Sequence, residues 1–338
     1  MKRILSIVLV ILLSACIPKA IEKEMVVMDE LVIVVVPFYD AESIETIMEP
    51  VEIQLKEDLY KMGFDIGRVE FKVTTSYGAA GEALAAGSAD VGMISGPTYV
   101  QFSDEGLEVI LQSLRGNMSV DSEDPMDWNT GEITTRDTVN SVPYTRGLIY
   151  VGPSEYGQEL YQKYLNKDLT YVDLEKANWC YSASVTSTTG YVFPTLWLYE
   201  NYGKKLSDLP NAILMNNNGD IPVNLAQGVC DVAVSYAFLR TDYIDAWENE
   251  LAQKTEIYDA VKVIGVTPKI SNGAVAVSWN SPKMTEELKL AIQEAFLHIA
   301  DTEKGLEAIR LYNHEGYHVS QDSDFDELRK AYEIIKGK

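Results

Sequence analysis

A run of hydroxyl side chains between a predicted strand and a predicted helix is the segment best suited to binding. Residues 184–191 read Ser-Val-Thr-Ser-Thr-Thr-Gly-Tyr, which places five serines and threonines in eight positions. The first N–H groups of a helix have no internal partner and carry partial positive charge. Ser187, Thr188 and Thr189 add hydroxyl donors, and Gly190 lets a ligand approach the backbone. Plain capping needs only one such residue, so the run predicts an oxyanion socket that uses uncharged donors and no lysine or arginine.

Other patterns in the sequence give little support for catalysis or metal binding. His314 and His318 have i, i+4 spacing, but Gly316 between them disfavours a helix. The aspartates within 322–326 lack the glycine that a calcium loop needs. No base lies beside the hydroxyl run, which argues against nucleophilic catalysis, and no glycine-rich nucleotide loop is present. We therefore expect a binding protein that is not an enzyme and that uses no cofactor or metal.

A repeated helix-to-strand pattern indicates two similar lobes. Residues 84–91 (LAAGSADV) and 225–232 (LAQGVCDV) each give a helix end, a glycine and an aspartate that leads into an apolar strand. Two such lobes imply a cleft between them, where a small ligand binds. Chance similarity of two such junctions is the alternative.

The alternation of predicted strands and helices favours an α/β fold. Residues 31–36 form an apolar β-branched run, as expected of a strand buried on both faces. A helix over 41–59, which Pro50 should kink or divide, is followed by a strand at 69–73 and a helix opened by Tyr77. Ser281 and Pro282 predict the start of a C-terminal helix. The predicted fold has two lobes, each a mostly parallel sheet flanked by helices, with two crossovers as a hinge. Its divisions are a first lobe of 30–143 plus 271–338 and a second lobe of 144–270.

Residues 116–141 break this alternation. This stretch contains six carboxylates and only one arginine, and its hydrophobic residues have no clear period. We expect an acidic surface excursion, with a hairpin as one form.

The N-terminus resembles a bacterial lipoprotein signal. Lys2 and Arg3 precede an apolar run at 4–13, which is too short to span a bilayer, and Leu-Ser-Ala-Cys follows, ending at Cys16. The resemblance implies a signal peptide at 1–16, acylation of Cys16, a tether at 17–29 and a membrane-anchored protein outside the cytoplasm. An ordinary secretory signal with a chance cysteine is the alternative.

The remaining cysteines and the charge are consistent with an exported binding protein. Cys180 and Cys230 flank strands that can be neighbours, so they form either a disulfide or two buried thiols. The net charge of −23 argues against nucleic acid and anionic lipid surfaces as partners. An anionic ligand remains compatible with this net charge, because salt screens the exposed charges and the donors inside the binding site determine the charge of the ligand.

Residues 187–194, Ser-Thr-Thr-Gly-Tyr-Val-Phe-Pro, resemble a family signature. The pattern is similar to the Ser-Thr-Ser-Gly-aromatic-x-x-Pro motif of phosphonate/phosphate-type ABC-transporter substrate-binding lipoproteins. Residues 36–39, 77–99, 267–271 and 316–329 resemble other segments of that family in the same order. The resemblance implies the type II periplasmic binding protein fold, with lobes that close around a ligand by hinge motion.

The resemblance also implies roles for individual residues. By position, Ser187, Thr188 and Thr189 would hold the phosphorus oxygens. Tyr77 and Ser95 would face these oxygens from the first lobe, and Tyr39 would be a further neighbour.

Two positions differ from members that bind aminoalkylphosphonates. Asn218 stands where such members often have a histidine, and Asn272 and Gly273 occupy the stretch that carries their carboxylate for the amine. We therefore expect phosphite, phosphate or an alkylphosphonate to fit as well as an amine-bearing ligand.

The expected function is a monomeric receptor that passes a small phosphorus oxyanion, a phosphonate first, to an ABC permease and its ATPase. A sensor for a membrane kinase, a receptor for a sulfonate or another solute, and an enzyme on the same fold are the alternatives.

Overall fold

A computed structural model describes residues 25–36 and 41–337, except for the side chains of residues 41–43 and 45. The expected signal peptide, Cys16 and Tyr39 lie outside the described residues.

Strands and helices alternate over most of the described chain. The strands are β1 Val26–Val35, β2 Phe64–Val73, β3 Val91–Ile94, β4 Leu107–Met118, β5 Arg136–Val142, β6 Tyr144–Thr145, β7 Gly147–Val151, β8 Trp179–Ser182, β9 Ala212–Met215, β10 Val232–Tyr236, β11 Lys262–Val266, β12 Ile270–Ser271, β13 Ala274–Ser278 and β14 Gly316–Val319. The helices are α1 Ala41–Lys61, α2 Tyr77–Ala85, α3 Gly96–Phe102, α4 Glu155–Leu165, α5 Tyr171–Leu174, α6 Phe193–Tyr202, α7 Asp220–Ala226, α8 Leu239–Asp242, α9 Ile257–Ala260, α10 Glu286–Leu297, α11 Glu303–Ile309 and α12 Asp326–Lys336.

Each lobe is built on a sheet with the same internal order. The first sheet runs β14-β4-β13-β3-β1-β2, and β5 pairs with β4. The second runs β11-β7-β10-β8-β9. In both, one strand inserted from a distant part of the chain, β13 or β7, is antiparallel to its neighbours. Two pairings in each sheet are parallel, those of β1 with β2 and β3 and those of β8 with β9 and β10, and the other pairings are antiparallel. The predicted two-lobed α/β fold is confirmed, although the sheets are mixed and not mostly parallel.

The repeated sequence pattern has the same structure in both lobes. Gly87 and Gly228 end helices α2 and α7 with φ of +68° and +67°, where glycine is favoured. Asp90 then accepts hydrogen bonds from the Val32 N–H and the Ser281 hydroxyl. Asp231 likewise accepts from the Asn178 N–H and the Ser154 hydroxyl. Each aspartate therefore fastens the start of one central strand to both of its neighbours.

The two crossovers between lobes lie side by side. Strands β6 and β12 form a two-stranded antiparallel ribbon in which Thr145 pairs with Ile270 and Tyr144 with Ser271. The predicted hinge of two crossovers is confirmed.

The first helix is continuous, contrary to the expected division at Pro50. Pro50 lies inside α1. The buried side chains of this helix are at most 1 % exposed: Ile44, Met48, Val51, Leu55 and Leu59. Their packing on the sheet outweighs the backbone hydrogen bond that proline removes.

Two predicted boundaries also differ. Strand β1 begins at Val26, which pairs with Phe64, so residues 26–29 belong to the sheet and not to the expected tether. Helix α10 begins after its cap Thr285 and not at Ser281. The Ser281 hydroxyl donates to Asp90 and accepts from the Lys283 N–H, so it stabilises a turn ahead of the helix.

The acidic segment lies on the surface for most of its length, but it is anchored in the second lobe. Met118 and Trp128 belong to the hydrophobic core of the second lobe. The Asn129 side chain and the Val263 backbone exchange two hydrogen bonds of 2.8 Å each. The segment then returns to the first sheet as β5, which pairs with β4. Residues 118–135 therefore form a strap from the first lobe across the second, held by buried apolar side chains that the acidic composition obscured.

Cys180 and Cys230 are joined as a disulfide, with Cα atoms 5.7 Å apart. Their strands β8 and β10 are parallel neighbours, with Cys180 opposite Ala233. Among the described helices, none combines the length and apolar character needed to cross a membrane.

Candidate functional site

A cavity of about 1190 Å³ lies between the lobes. Ligand pockets are typically about 300–1,000 Å³, so the space exceeds that of a single oxyanion. The polar side chains on its wall come from both lobes: Tyr77, Ser95, Ser113 and Arg115 from the first, and Ser184, Thr186, Ser187, Thr188 and Asn218 from the second. The structure thus brings five of the predicted site residues to one cavity.

The predicted socket is a turn that presents free donors. Ser187 begins a π-helical turn, Thr188–Val192, and its hydroxyl accepts from the Gly190 N–H at 3.3 Å. The Ser187 carbonyl accepts from the N–H groups of Tyr191 and Val192, each at 2.9 Å. In the described structure the Thr188 and Thr189 N–H groups have no hydrogen-bond partner. Of these groups, the Thr188 N–H and hydroxyl belong to a residue that lines the cavity, and they are free to hold an anion.

Thr189 and Gly190 do not line the cavity. The Thr189 carbonyl faces Gly147. A Cβ on Gly190 would lie 2.8 Å from the Ser182 Cβ and from the Ser187 hydroxyl oxygen. Glycine at 190 thus lets the turn pack against β8, and its missing side chain does not open space for a ligand.

The first lobe presents Tyr77 and Ser95 at helix starts. Tyr77 is the first residue of α2 and is 43 % exposed. Partial burial raises the pKa of its phenol, which keeps Tyr77 a neutral donor. The Ser95 hydroxyl accepts from the Thr98 N–H at 3.2 Å and lies 2.8 Å from the Thr98 hydroxyl. Ser95 therefore caps α3 while it faces the cavity.

Asn218 lies on the second-lobe wall, just before α7. Its side-chain oxygen accepts from the Ser235 hydroxyl at 3.3 Å. That bond directs the amide nitrogen away from Ser235 and leaves it as an uncharged donor near the cavity.

Sequence analysis missed the charged group on the cavity wall. Arg115, on β4, forms no ion pair with any described carboxylate, and its Nε atom is buried without a partner. Burial lowers the pKa of the Arg115 guanidinium, although arginine stays protonated. Sequence analysis did not anticipate a buried cation on this wall, since it assigned no element to residues 107–115. That the anion itself is held by uncharged donors at the Ser187 turn stays a prediction.

His314 also lines the cavity, but as a neutral group. Burial, together with the nearby Arg115, lowers the pKa of His314 to about 3. Its Nδ1 lies 3.5 Å from the Tyr317 hydroxyl. In the described parts of the chain, no three His, Cys, Asp or Glu side chains cluster as a metal site would require.

Comparison with solved structures supports the fold. The Mycoplasma hyorhinis protein Mh-p37 matches with a TM-score of 0.67 at 12% identity, covering 90% of this chain and 98% of that one. A binding protein component of an ABC phosphonate transporter from Pseudomonas aeruginosa matches with a TM-score of 0.55 at 12% identity, covering 90% and 86%. PhnD1 from Prochlorococcus marinus, in complex with methylphosphonate, gives 0.54 at 11% identity, covering 91% and 98%. At these identities the likeness shows the fold alone.

The family assignment rests on the sequence. No curated protein matches the chain. The family model described as "ABC transporter, phosphonate, periplasmic substrate-binding protein" matches residues 33–325, which span both lobes and the hydroxyl turn. The chain therefore belongs to the family of periplasmic substrate-binding proteins of phosphonate ABC transporters.

Proposed function

We propose that this protein captures a small phosphorus oxyanion, a phosphonate first, between its lobes and delivers it to an ABC permease and its ATPase. The observation that carries the proposal is the Ser187 turn. It presents the free N–H and hydroxyl of Thr188 to a cavity lined by both lobes. Such donors match the tetrahedral, strongly accepting oxygens of a phosphonate.

Delivery requires that the permease distinguish the loaded receptor from the empty one. Helix α12 packs against α3 of the first lobe and α6 of the second. Its Lys330 pairs with Glu200 at 2.6 Å, and Lys205 near α6 donates to the Ile335 carbonyl. These contacts bridge the two lobes, so we infer that closure forms them and gives the closed shape a surface that differs from the open one.

Anchoring follows from the lipobox-like sequence. A diacylated Cys16 would hold a monomeric receptor at the outer face of the membrane, near its permease. We therefore place the protein outside the cytoplasm, attached through lipid at the cell surface or in the periplasm.

Calorimetry with methylphosphonate, phosphite and phosphate tests the proposal. Replacing both Ser187 and Thr188 by Ala should weaken the binding of the best ligand at least about tenfold, or about 1.4 kcal/mol. The matched control is Thr285→Ala, which removes the cap of α10 far from the cavity. The control should lower stability by about 1 kcal/mol and leave the dissociation constant unchanged. An unchanged constant in the double variant would remove the socket assignment.

A further inference from the structure

One face of β4 carries two unsatisfied donors into the cavity. Ser113 and Arg115 are two positions apart, so their side chains lie on the same face of the strand. Both line the cavity. The Ser113 hydroxyl and the Arg115 Nε are each buried without a hydrogen-bond partner in the described structure. Unpaired buried groups of this kind are costly, which indicates that a partner is supplied from outside the chain.

Among the described residues, no charge around Arg115 would compensate it. The titratable groups that act on it are the Tyr77 phenol and, across the strand edge, the imidazole of His314, both neutral near pH 7. Asp104, the one described carboxylate on the cavity wall, is exposed and makes no ion pair with Arg115. A guanidinium in this position favours an oxyanion, which it can bind through two parallel hydrogen bonds.

This donor pair and the Ser187 turn lie on walls of the cavity that belong to different lobes. The Ser113 backbone is fixed to the hinge, because its N–H donates to the Gly273 carbonyl and its carbonyl accepts from the Asn272 amide. The Ser187 turn belongs to the second lobe, beside β8. A cavity of about 1190 Å³ has room for a ligand that reaches both.

We propose that Ser113 and Arg115 bind a second oxyanion group, a carboxylate or a phosphoryl, on the same ligand. The preferred ligand is then a phosphonate with an acidic tail and not a simple alkylphosphonate. This inference rests on the proposed function, since the Ser187 turn holds the first phosphorus group.

Paired ligands that differ only in tail charge test the inference. Phosphonoacetate carries a carboxylate, whereas phosphonoacetamide has a similar shape and carries an uncharged amide in its place. In calorimetry the wild-type protein should bind phosphonoacetate at least about tenfold more tightly, the usual scale of a charge-assisted hydrogen bond. Arg115→Gln should remove that preference and leave phosphonoacetamide within about threefold of its wild-type affinity. The control Arg136→Gln removes the same charge from an arginine paired with Asp242 outside the cavity, and it should preserve the preference.

The outcomes separate this inference from the proposed function. Equal weakening of both ligands by Arg115→Gln would mean that Arg115 holds the phosphonate itself, which overturns the second subsite but not the receptor. Failure of both ligands, methylphosphonate and phosphite to bind would overturn the receptor. Without ligand, Arg115→Gln should melt at or above the wild-type temperature, because it removes an unpaired buried charge. A lower melting temperature would assign Arg115 a structural role and reject the subsite.

Discussion

The paired aspartates of the two lobes should differ in what their loss costs. Asp90 is 1 % exposed and accepts from the Val32 N–H at 2.8 Å and the Ser281 hydroxyl at 2.5 Å. Val32 and Ser281 are each 3 % exposed, so Asp90→Ala leaves two buried donors unsatisfied. At about 1–3 kcal/mol per buried donor, the variant should lose about 2–6 kcal/mol of unfolding free energy. The Lys283 ammonium, 2.9 Å away and partly exposed, is rehydrated and adds little.

Asp231 provides the matched comparison within the same molecule. It accepts from the Ser154 hydroxyl at 2.6 Å and the Asn178 N–H at 2.8 Å, but Asn178 is an exposed residue. Water can reach the donors that Asp231→Ala frees, so the expected loss is about 1–2 kcal/mol.

Urea unfolding followed by far-ultraviolet circular dichroism measures both variants. Glu327→Ala, which removes a pair with Lys330 in which both side chains are about half exposed, is the surface control and should stay within about 0.5 kcal/mol of wild type. If Asp231→Ala costs as much as Asp90→Ala, or Asp90→Ala costs less than about 1 kcal/mol, burial does not govern these bonds and the reasoning fails.

Further predictions concern the turn, the disulfide, the cavity and the anchor. Gly190→Ala should cost about 1–3 kcal/mol in urea unfolding and also weaken phosphonate binding, because its Cβ displaces the turn; unchanged values for both would contradict the tight packing. Reducing the bond between Cys180 and Cys230 should lower the unfolding free energy by about 2–4 kcal/mol, and a mass unchanged by alkylation before reduction should show that it forms. The pKa of His314 is lower in the folded protein than in the unfolded chain, so its contribution to stability is complete above about pH 6.5. That contribution falls by about 1.4 kcal/mol per pH unit as the pH drops towards 3. His314→Gln should flatten this pH dependence of the unfolding free energy, and an unaltered pH profile would argue against a neutral buried imidazole. Cys16→Ala should move the protein from the detergent phase to the aqueous phase on phase partitioning, whereas retention in detergent would exclude lipid at this residue.

The lobes could be predicted because their signals are local. The repeated glycine and aspartate, the apolar strand runs and the hydroxyl turn each depend on a few consecutive residues, and Gly87 and Gly228 take the conformations that the pattern predicts. Arg115 could not be found in this way. Its place on the cavity wall depends on β4, β14 and the hinge, which are distant in sequence, and no described carboxylate forms an ion pair with it.

The position of the acidic segment was also not predictable from the sequence, because its composition is misleading. Its composition indicates a solvated surface, and only the tertiary structure shows that Trp128 is 1 % exposed in the core of the second lobe. Composition averaged over a segment conceals a single buried side chain that decides where the segment lies.

The strap has a mechanical consequence for any motion between the lobes. Two paired strands alone, β6 and β12, would allow the lobes both to bend apart and to twist about the ribbon. The strap adds an outward and a return passage, anchored at one end by Trp128 and at the other by the pairing of β5 with β4. Twisting of the lobes would pull these anchors apart, whereas bending would move them little. The chain path therefore favours a single direction of opening and limits how wide the cleft can become.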